Sequence, residues 1–387
     1  MITPTRHMQS GRRAIGALVV ACALLVACEE THEPYRIGVV LEEDGVRGAQ
    51  IAADALNARG GIDGHPLELV PVTDSSSTTA RVALRAAESL VSDPTVLAIV
   101  GHSNSSASLA ASQVYNARHV TQIAPTTTAP LYSQAGPYSF RLVASDAYQG
   151  AYLARLLLSS PRSRTAVVFV NDDYGRALAG VLRRELHSAG ADPAYVTSFA
   201  ESRDFPDRDD ILRALTIAHP DVLVWIGRPN EFAHLAPGLH RALPRLSVLA
   251  SDGFGSALME KDSLHVLAGV RYVRLVDLSR PDSALERFLQ RYRGSGMGRP
   301  TDQAVLAHDA VLLLGEGLRH ATTRESIRDW VATVGHGTPP VAGLSGPIAF
   351  GSGGDRAPVY ALEETPPRPA PPGAAGAARS RPEVAHP

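Results

Sequence analysis

Cysteine is almost missing from this chain: only Cys22 and Cys28 occur among 387 residues. Both lie in the first thirty positions, so the rest of the chain offers no pair to bridge and no thiolate set for zinc. Lysine is rarer still, with Lys261 alone. Aromatic residues make up 5% and the net charge is −2. No long block of one sign appears, which disfavours nucleic acid or an anionic membrane surface as a partner. The 14 histidines are scattered without the i, i+4 spacing of a metal-binding helix. None is read as a metal ligand, and no cofactor is expected.

Long apolar runs are also lacking. Residues 14–27 form one apolar stretch after Arg6, Arg12 and Arg13, too short to span a bilayer stably but suited to the h-region of an export signal. A signal peptide is therefore expected over residues 1–27 and a tether over 28–34, leaving a length that suits two domains. Arg12-Arg13 hints at twin-arginine export, although Ala14-Ile15-Gly16 fits that motif poorly. At the other end, residues 364–387 are dense in proline, alanine and glycine. Such a segment buries too little apolar surface to offset its ordering entropy, so a disordered tail is expected.

From Tyr35 onward, short apolar runs alternate with stretches of helical periodicity, the pattern of βαβ units on a parallel sheet. The strand candidates are "YRIGVVL", "LELVPV", "VLAIV", "TQIAP", "TAVVFVN", "DVLVWIG" and "RLSVLAS". Helices are expected over residues 49–59, ending in Gly60-Gly61, and over 79–91, stopping before Asp93-Pro94. The rhythm restarts at "TAVVFVN", and "GVRYVRLVDLSRP" lies where a chain could cross back. The expected fold is α/β: two Rossmann-like lobes, each a parallel sheet flanked by helices, joined by a multi-crossover hinge. The expected boundaries are 35–143 plus 277–343 for lobe 1 and 144–276 plus 344–363 for lobe 2.

In open parallel sheets ligands bind beyond the carboxyl ends of the strands, where helix N-termini present free N–H groups. Polar residues cluster at those positions: Glu42 and Glu43, Asp74, Ser103 to Ser106, Thr126 to Thr128, Asp172 to Tyr174, Arg228 and Asp252. Clefts between such lobes take small ligands and close by hinge motion.

With these residues in view the chain resembles the type I periplasmic binding proteins, specifically the leucine/isoleucine/valine-binding family that serves ABC transporters, in its lipoprotein form. The resemblance rests on "GAQIAADALNARGGIDGHPLELVPVTD", "IVGHSNSS", "APTTTAP", "FRLVASDAYQG", "NDDYGRAL" and "SDGF". "LVAC" at residues 25–28 resembles a lipobox, which implies a diacylated Cys28, export, and anchoring in the periplasm or on the outer face of the cytoplasmic membrane.

The family resemblance implies that Ser105, Thr126 and Thr128 hold a ligand carboxylate, with Ser103 in the same loop. It further implies that Asp252 takes the ammonium and that Tyr174 closes over the ligand. Asp146 and Gln149 match a hinge-side D-x-x-Q-G read as structural. The partners so implied are an amino acid or related solute and an ABC permease. Two departures bear on specificity. "LEEDGVRG" shortens the first loop, and Arg228 in "WIGRPNE" would suit a different substrate end group such as a second carboxylate.

Blander roles exist for the same residues. Ser105, Thr128 and Asp252 are good helix caps, Tyr174 could pack without ligand, Asp74 suits a turn, and Glu42, Glu43 and Arg228 could be solvated charges.

Gly101-His102-Ser103 looks like the start of a nucleophile elbow, but the pattern G-x-S-x-G requires glycine where Ser105 stands. A loop that holds rather than attacks is expected, hence no enzyme. A ligand-sensing receptor component of the same fold, for an amide or an amino acid, and an interaction module without ligand are the alternatives to a carrier. The lipobox has a direct consequence. Cys28→Ala should shift the protein from the membrane pellet to the soluble fraction, and continued partitioning with membranes would refute the anchor.

Overall fold

The computed structural model describes residues 32–72, 79–159, 163–202, 204–257, 265–351 and 353–366. The expected signal peptide, Cys28, Asp74 and residues 367–387 lie outside the described residues. Among the described residues no helix is long and apolar enough to cross a membrane.

The first sheet is built from β1 (Tyr35–Val40), β2 (Leu67–Pro71), β3 (Val96–Gly101), β4 (Thr121–Ala124) and β5 (Ser139–Arg141). All its pairs are parallel, in the order β2-β1-β3-β4-β5. The intervening helices are α1 (Glu43–Asn57), α2 (Ala80–Ser92) and α3 (Ser105–Ala117). Both faces of this sheet are covered, which is why its strands read as continuous apolar runs. Ala98 and Val100 point into one core while Val96 and Ile99 point into the other.

The second sheet continues with α4 (Asp146–Leu158), β6 (Thr165–Val170), α5 (Asp173–Ser188), β7 (Tyr195–Phe199), α6 (Arg208–Ala218), β8 (Val222–Ile226), α7 (Pro229–Ala242), β9 (Ser247–Ala250) and β10 (Arg271–Arg274). The chain then returns to the first lobe with α8 (Ser283–Gly294), α9 (Asp302–Leu318), α10 (Arg324–Thr333) and the hairpin β11 (Val341–Gly343) and β12 (Gly346–Ile348). It ends in the second sheet as β13 (Ala361–Glu364), whose order is β13-β10-β9-β8-β6-β7. Within that sheet, among the described residues, β13 alone runs antiparallel to its neighbour.

Helix α1 starts at Glu43, six residues ahead of the expected Ala49, because the first loop is only two residues long. Its pairing with α9 depends on Gly48, where a Cβ would stand 1.9 Å from the Ala304 carbonyl oxygen. Thr79 and Ser92 bracket α2 close to the expected ends.

Two expected boundaries move. Residue 344 does not begin the second lobe, since Leu344, Ile348 and Phe350 are buried in the core of the first. The hairpin β11-β12 has to seat its apolar side somewhere, and α9 supplies the surface. Nor does the tail begin at 364, because Glu364 pairs with Arg271 in the sheet and Thr365 is buried. Thr365 donates its backbone N–H to Val270 at 2.9 Å and accepts the Val270 N–H on its hydroxyl at 3.0 Å.

Three segments join the lobes, and buried ion pairs brace them. Arg141, fully buried at the end of β5, donates to both oxygens of Asp355 at 2.7 and 2.8 Å and to the Ala129 carbonyl at 2.9 Å. Arg274, at the end of β10, donates to Asp302 Oδ1 at 2.7 Å, while Oδ2 accepts the Leu275 N–H at 2.8 Å. Removing one partner of a buried pair leaves the other desolvated and uncompensated, at about 3 kcal/mol or more. Asp302→Ala should therefore lower the unfolding free energy measured by denaturant titration by that order. Asp209→Ala, which breaks the exposed pair with Arg208, should hardly move it in the same titration.

Candidate functional site

The carboxyl ends of both sheets face a single cleft of about 610 Å³, open to solvent. Its first-lobe wall comes from the loops after β1, β3 and β4. Asn104 is the cap of α3, accepting the Ala107 N–H on Oδ1 at 2.9 Å. The neighbouring Ser105 is thus free of the capping role, and its hydroxyl accepts the Ala129 N–H at 3.2 Å, fastening the threonine loop to the start of α3. Ser103 Oγ accepts the Glu42 N–H at 2.9 Å and donates to Gln303 Oε1 at 3.3 Å. Thr126 donates to the Ser103 carbonyl at 3.3 Å. Hydroxyls therefore crowd a helix N-terminus whose first N–H groups have no intrahelical acceptor, an arrangement that suits a carboxylate.

The second-lobe wall comes from the loops after β6, β8 and β9. Asp172 caps α5 through the Gly175 N–H at 2.7 Å. Gly175 has no alternative there, since a Cβ would lie 1.9 Å from the Val170 carbonyl oxygen. Asp252, 2% exposed, sits in a single 3₁₀ turn after β9. Its backbone N–H donates to Gln149 Oε1 at 3.2 Å and its Oδ1 accepts the Tyr174 hydroxyl at 2.5 Å. Tyr174 in turn accepts the Gly253 N–H at 3.1 Å. Tyrosine and glutamine thus aim the carboxylate from two sides. The lobes also touch directly, the Asp173 N–H donating to Ser106 Oγ at 3.2 Å.

Burial governs the charge state. Asp252 is pushed up to about 6 by desolvation, against the hydrogen bonds from Tyr174 and Gln149 that favour its charged form. Asp146, also fully buried, is pushed well above the usual carboxylate range by desolvation and then by the charge of Asp252. Glu231, at the start of α7, is raised by desolvation too.

Of the residues singled out in the sequence, Ser103, Ser105, Thr126, Tyr174, Arg228 and Asp252 line the cleft together, with Glu42 and Asp172. Thr128 does not. It is buried behind the wall, where its carbonyl accepts the Asp146 N–H at 2.8 Å. The chain turns into the second lobe just there, so the Thr128 side chain faces the hinge. Glu43 points to solvent from the first turn of α1. Arg228 forms an ion pair with Glu201 across the mouth of the site. Gln149 supports Asp252 directly, a sharper role than the general structural one expected for it.

Several lining residues escaped the sequence reading: Phe199, Glu201, Glu231 and Gln303 among them. Glu231 stands inside the quoted "WIGRPNE", two residues past the start of α7, so its position after a strand was the available signal. Gln303 offered none, since it reaches the cleft from a helix that follows the second crossing. Among the described residues no group of histidine, cysteine and carboxylate side chains could hold a metal ion.

Comparison with known proteins shows the family and the fold. A family model described as "Periplasmic binding protein" matches residues 38–362. An amino acid binding protein of Pseudomonas aeruginosa is 34% identical over 146 residues, spanning 37% of this chain and 38% of that relative. Leu/Ile/Val-binding protein homolog 1 of Brucella abortus is 24% identical over 282 residues, 72% of this chain and 74% of the relative. In fold, the branched-chain amino acid transporter substrate binding protein LivJ of Streptococcus pneumoniae, solved with isoleucine, superposes with a TM-score of 0.75 at 22% identity, covering 86% of this chain and 96% of that one.

A carboxyl whose folded pKa lies near 6 rather than 3.8 holds an extra proton in the folded state between those values. Its contribution to stability therefore grows as pH falls from 7.5 through 6 toward 4. Asp252→Asn should raise the unfolding free energy of the ligand-free protein at pH 7.5, by an amount on the order of 1 kcal/mol. That advantage should shrink at pH 5. An unchanged difference between the two pH values would contradict the assignment.

Proposed function

This chain belongs to the periplasmic binding proteins, and from that premise we propose that it captures an amino acid or closely related solute in the interlobe cleft and delivers it to an ABC permease. The observation that carries this reading is the pairing of opposite chemistries across one cleft. The hydroxyls and helix N-terminus of Ser103, Ser105 and Thr126 face the buried, doubly supported carboxylate of Asp252. An α-amino acid has the same polarity, an anion and a cation on neighbouring bonds. Its carboxylate gains from the α3 N-terminus and its ammonium gives Asp252 the partner that a desolvated carboxylate requires.

Hinge closure follows from the same arrangement. The carboxylate end is bound by the first lobe and the ammonium end by the second, so only the closed form makes both sets of contacts. A ligand shifts the equilibrium by its differential affinity for the two forms. The loop after β3 holds and does not react: Ser103 donates to Gln303, and His102 uses Nε2 on the Tyr115 hydroxyl at 3.0 Å. Burial pushes the His102 imidazole down to about 3, so it is a neutral structural group. The working place of the protein is extracytoplasmic, and Cys28 is its lipid anchor.

Thermal unfolding of the purified chain against a panel of amino acids, amides and dicarboxylates tests the reading. A ligand at a hundred times its Kd adds about 2.7 kcal/mol. One class of α-amino acid should raise the midpoint, and Asp252→Ala should abolish that rise. A midpoint unmoved by every α-amino acid, or a rise that survives Asp252→Ala, would refute it.

A further inference from the structure

The second-lobe wall of the cleft is rich in carboxylates. Five carboxylates line the cleft, those of Glu42, Asp172, Glu201, Glu231 and Asp252, against the single guanidinium of Arg228. That guanidinium is already paired with Glu201. Asp172 is engaged as the α5 cap. Glu231 differs from these. It is 7% exposed, and its Oε2 has no hydrogen-bond partner among the described residues.

A buried carboxylate oxygen without a donor is costly, and the cost is carried only where something else relieves it. The α7 N-terminus beneath Glu231 supplies part of that relief. Asp172 adds repulsion, while Arg228 and His234 add attraction from farther off. None of these donates a hydrogen bond to Oε2.

Val170, Phe199 and Ala257 line the same cleft and offer apolar surface for a methylene stem. We propose that Glu231 is the receptor for a cationic group at the distal end of the ligand, so that the bound solute is a basic α-amino acid carrying a second ammonium or a guanidinium. The inference rests on the reading of the cleft as an amino-acid site and names its substrate class. A leucine or isoleucine side chain would leave Oε2, already shut off from solvent, with nothing to bond. A basic side chain lays its carbons on Phe199 and Val170 and its charge on Glu231, the division of labour that long cationic side chains favour.

Isothermal titration of the purified chain with lysine, ornithine, arginine, glutamine and leucine tests the proposal, first on the unaltered protein and then on Glu231→Gln and Asp252→Asn. A hydrogen bond to a charged group contributes about 1.5–3 kcal/mol, or about 10- to 150-fold in Kd. At least one basic amino acid should bind about tenfold or more tightly than leucine. Glu231→Gln should weaken that ligand at least about tenfold more than it weakens leucine, and Asp252→Asn should weaken every α-amino acid.

Leucine or glutamine binding more tightly than all three basic amino acids would overturn the distal cation site while leaving the amino-acid reading intact. A Glu231→Gln protein with undiminished affinity for the basic ligand would do the same. Should that variant fail to fold, the ranking measured on the unaltered chain decides alone. Failure of every α-amino acid to bind would overturn the proposed function itself, and the distal site with it.

Discussion

Two carboxylates buried side by side at the lobe junction set the terms for the whole site. Asp146 opens α4 as the chain enters the second lobe, and Asp252 lies in the turn after β9; both are essentially without solvent. On top of desolvation, the charge of Asp252 raises the cost of ionising Asp146, and that of Asp302 raises the cost of ionising Asp252. Their titrations belong to the pair. Arg141, committed to Asp355 and to carbonyls of the threonine loop, eases Asp146 only from a distance. A cation arriving in the cleft lowers the cost of ionising Asp252, which gives the closed form its chemical reason.

The framework that tolerates this burial is correspondingly stiff. Arg141 with Asp355 and Arg274 with Asp302 brace the crossings through buried, hydrogen-bonded pairs. Neither pair is strong evidence of net stability, since desolvation offsets much of the attraction. What they fix is geometry: the first holds the loop that carries Thr126, and the second places α9, whose Gln303 reaches back to Ser103. Asp252 is held in the same manner by Tyr174 and Gln149. The two ends of the cleft are thereby prepared before any ligand arrives.

Much of this was legible from residues alone, for definite reasons. Strands covered on both faces must be apolar throughout, so β1, β3, β4, β6, β8 and β9 stand out as runs. The short β5, β10 and β13 do not, since each carries charged residues (Arg141; Arg271 and Arg274; Glu363 and Glu364) within three or four positions, and β7 hides because its residues are mostly half-buried. Loops after parallel strands converge, which is why Ser103, Ser105, Thr126, Tyr174 and Asp252 could be grouped from widely separated segments. Thr128 was grouped with them by motif, yet two residues beyond Thr126 that loop already faces the hinge.

The sequence by itself determined the class of fold, the two-lobed plan and the side of each sheet where chemistry gathers, because all three follow from periodicity and from the position of polar residues after apolar runs. Tertiary structure decided which carboxylates are desolvated, which are already paired, and which are left with an oxygen to spare. Burial depends on what other segments cover, and Glu231, Glu201 and Gln303 are covered or engaged by elements remote in the chain. No local pattern records that Arg228 is taken by Glu201 while Oε2 of Glu231 is not taken by anything described. The polarity of the cleft, and hence its choice of solute, is a property of the assembled lobes.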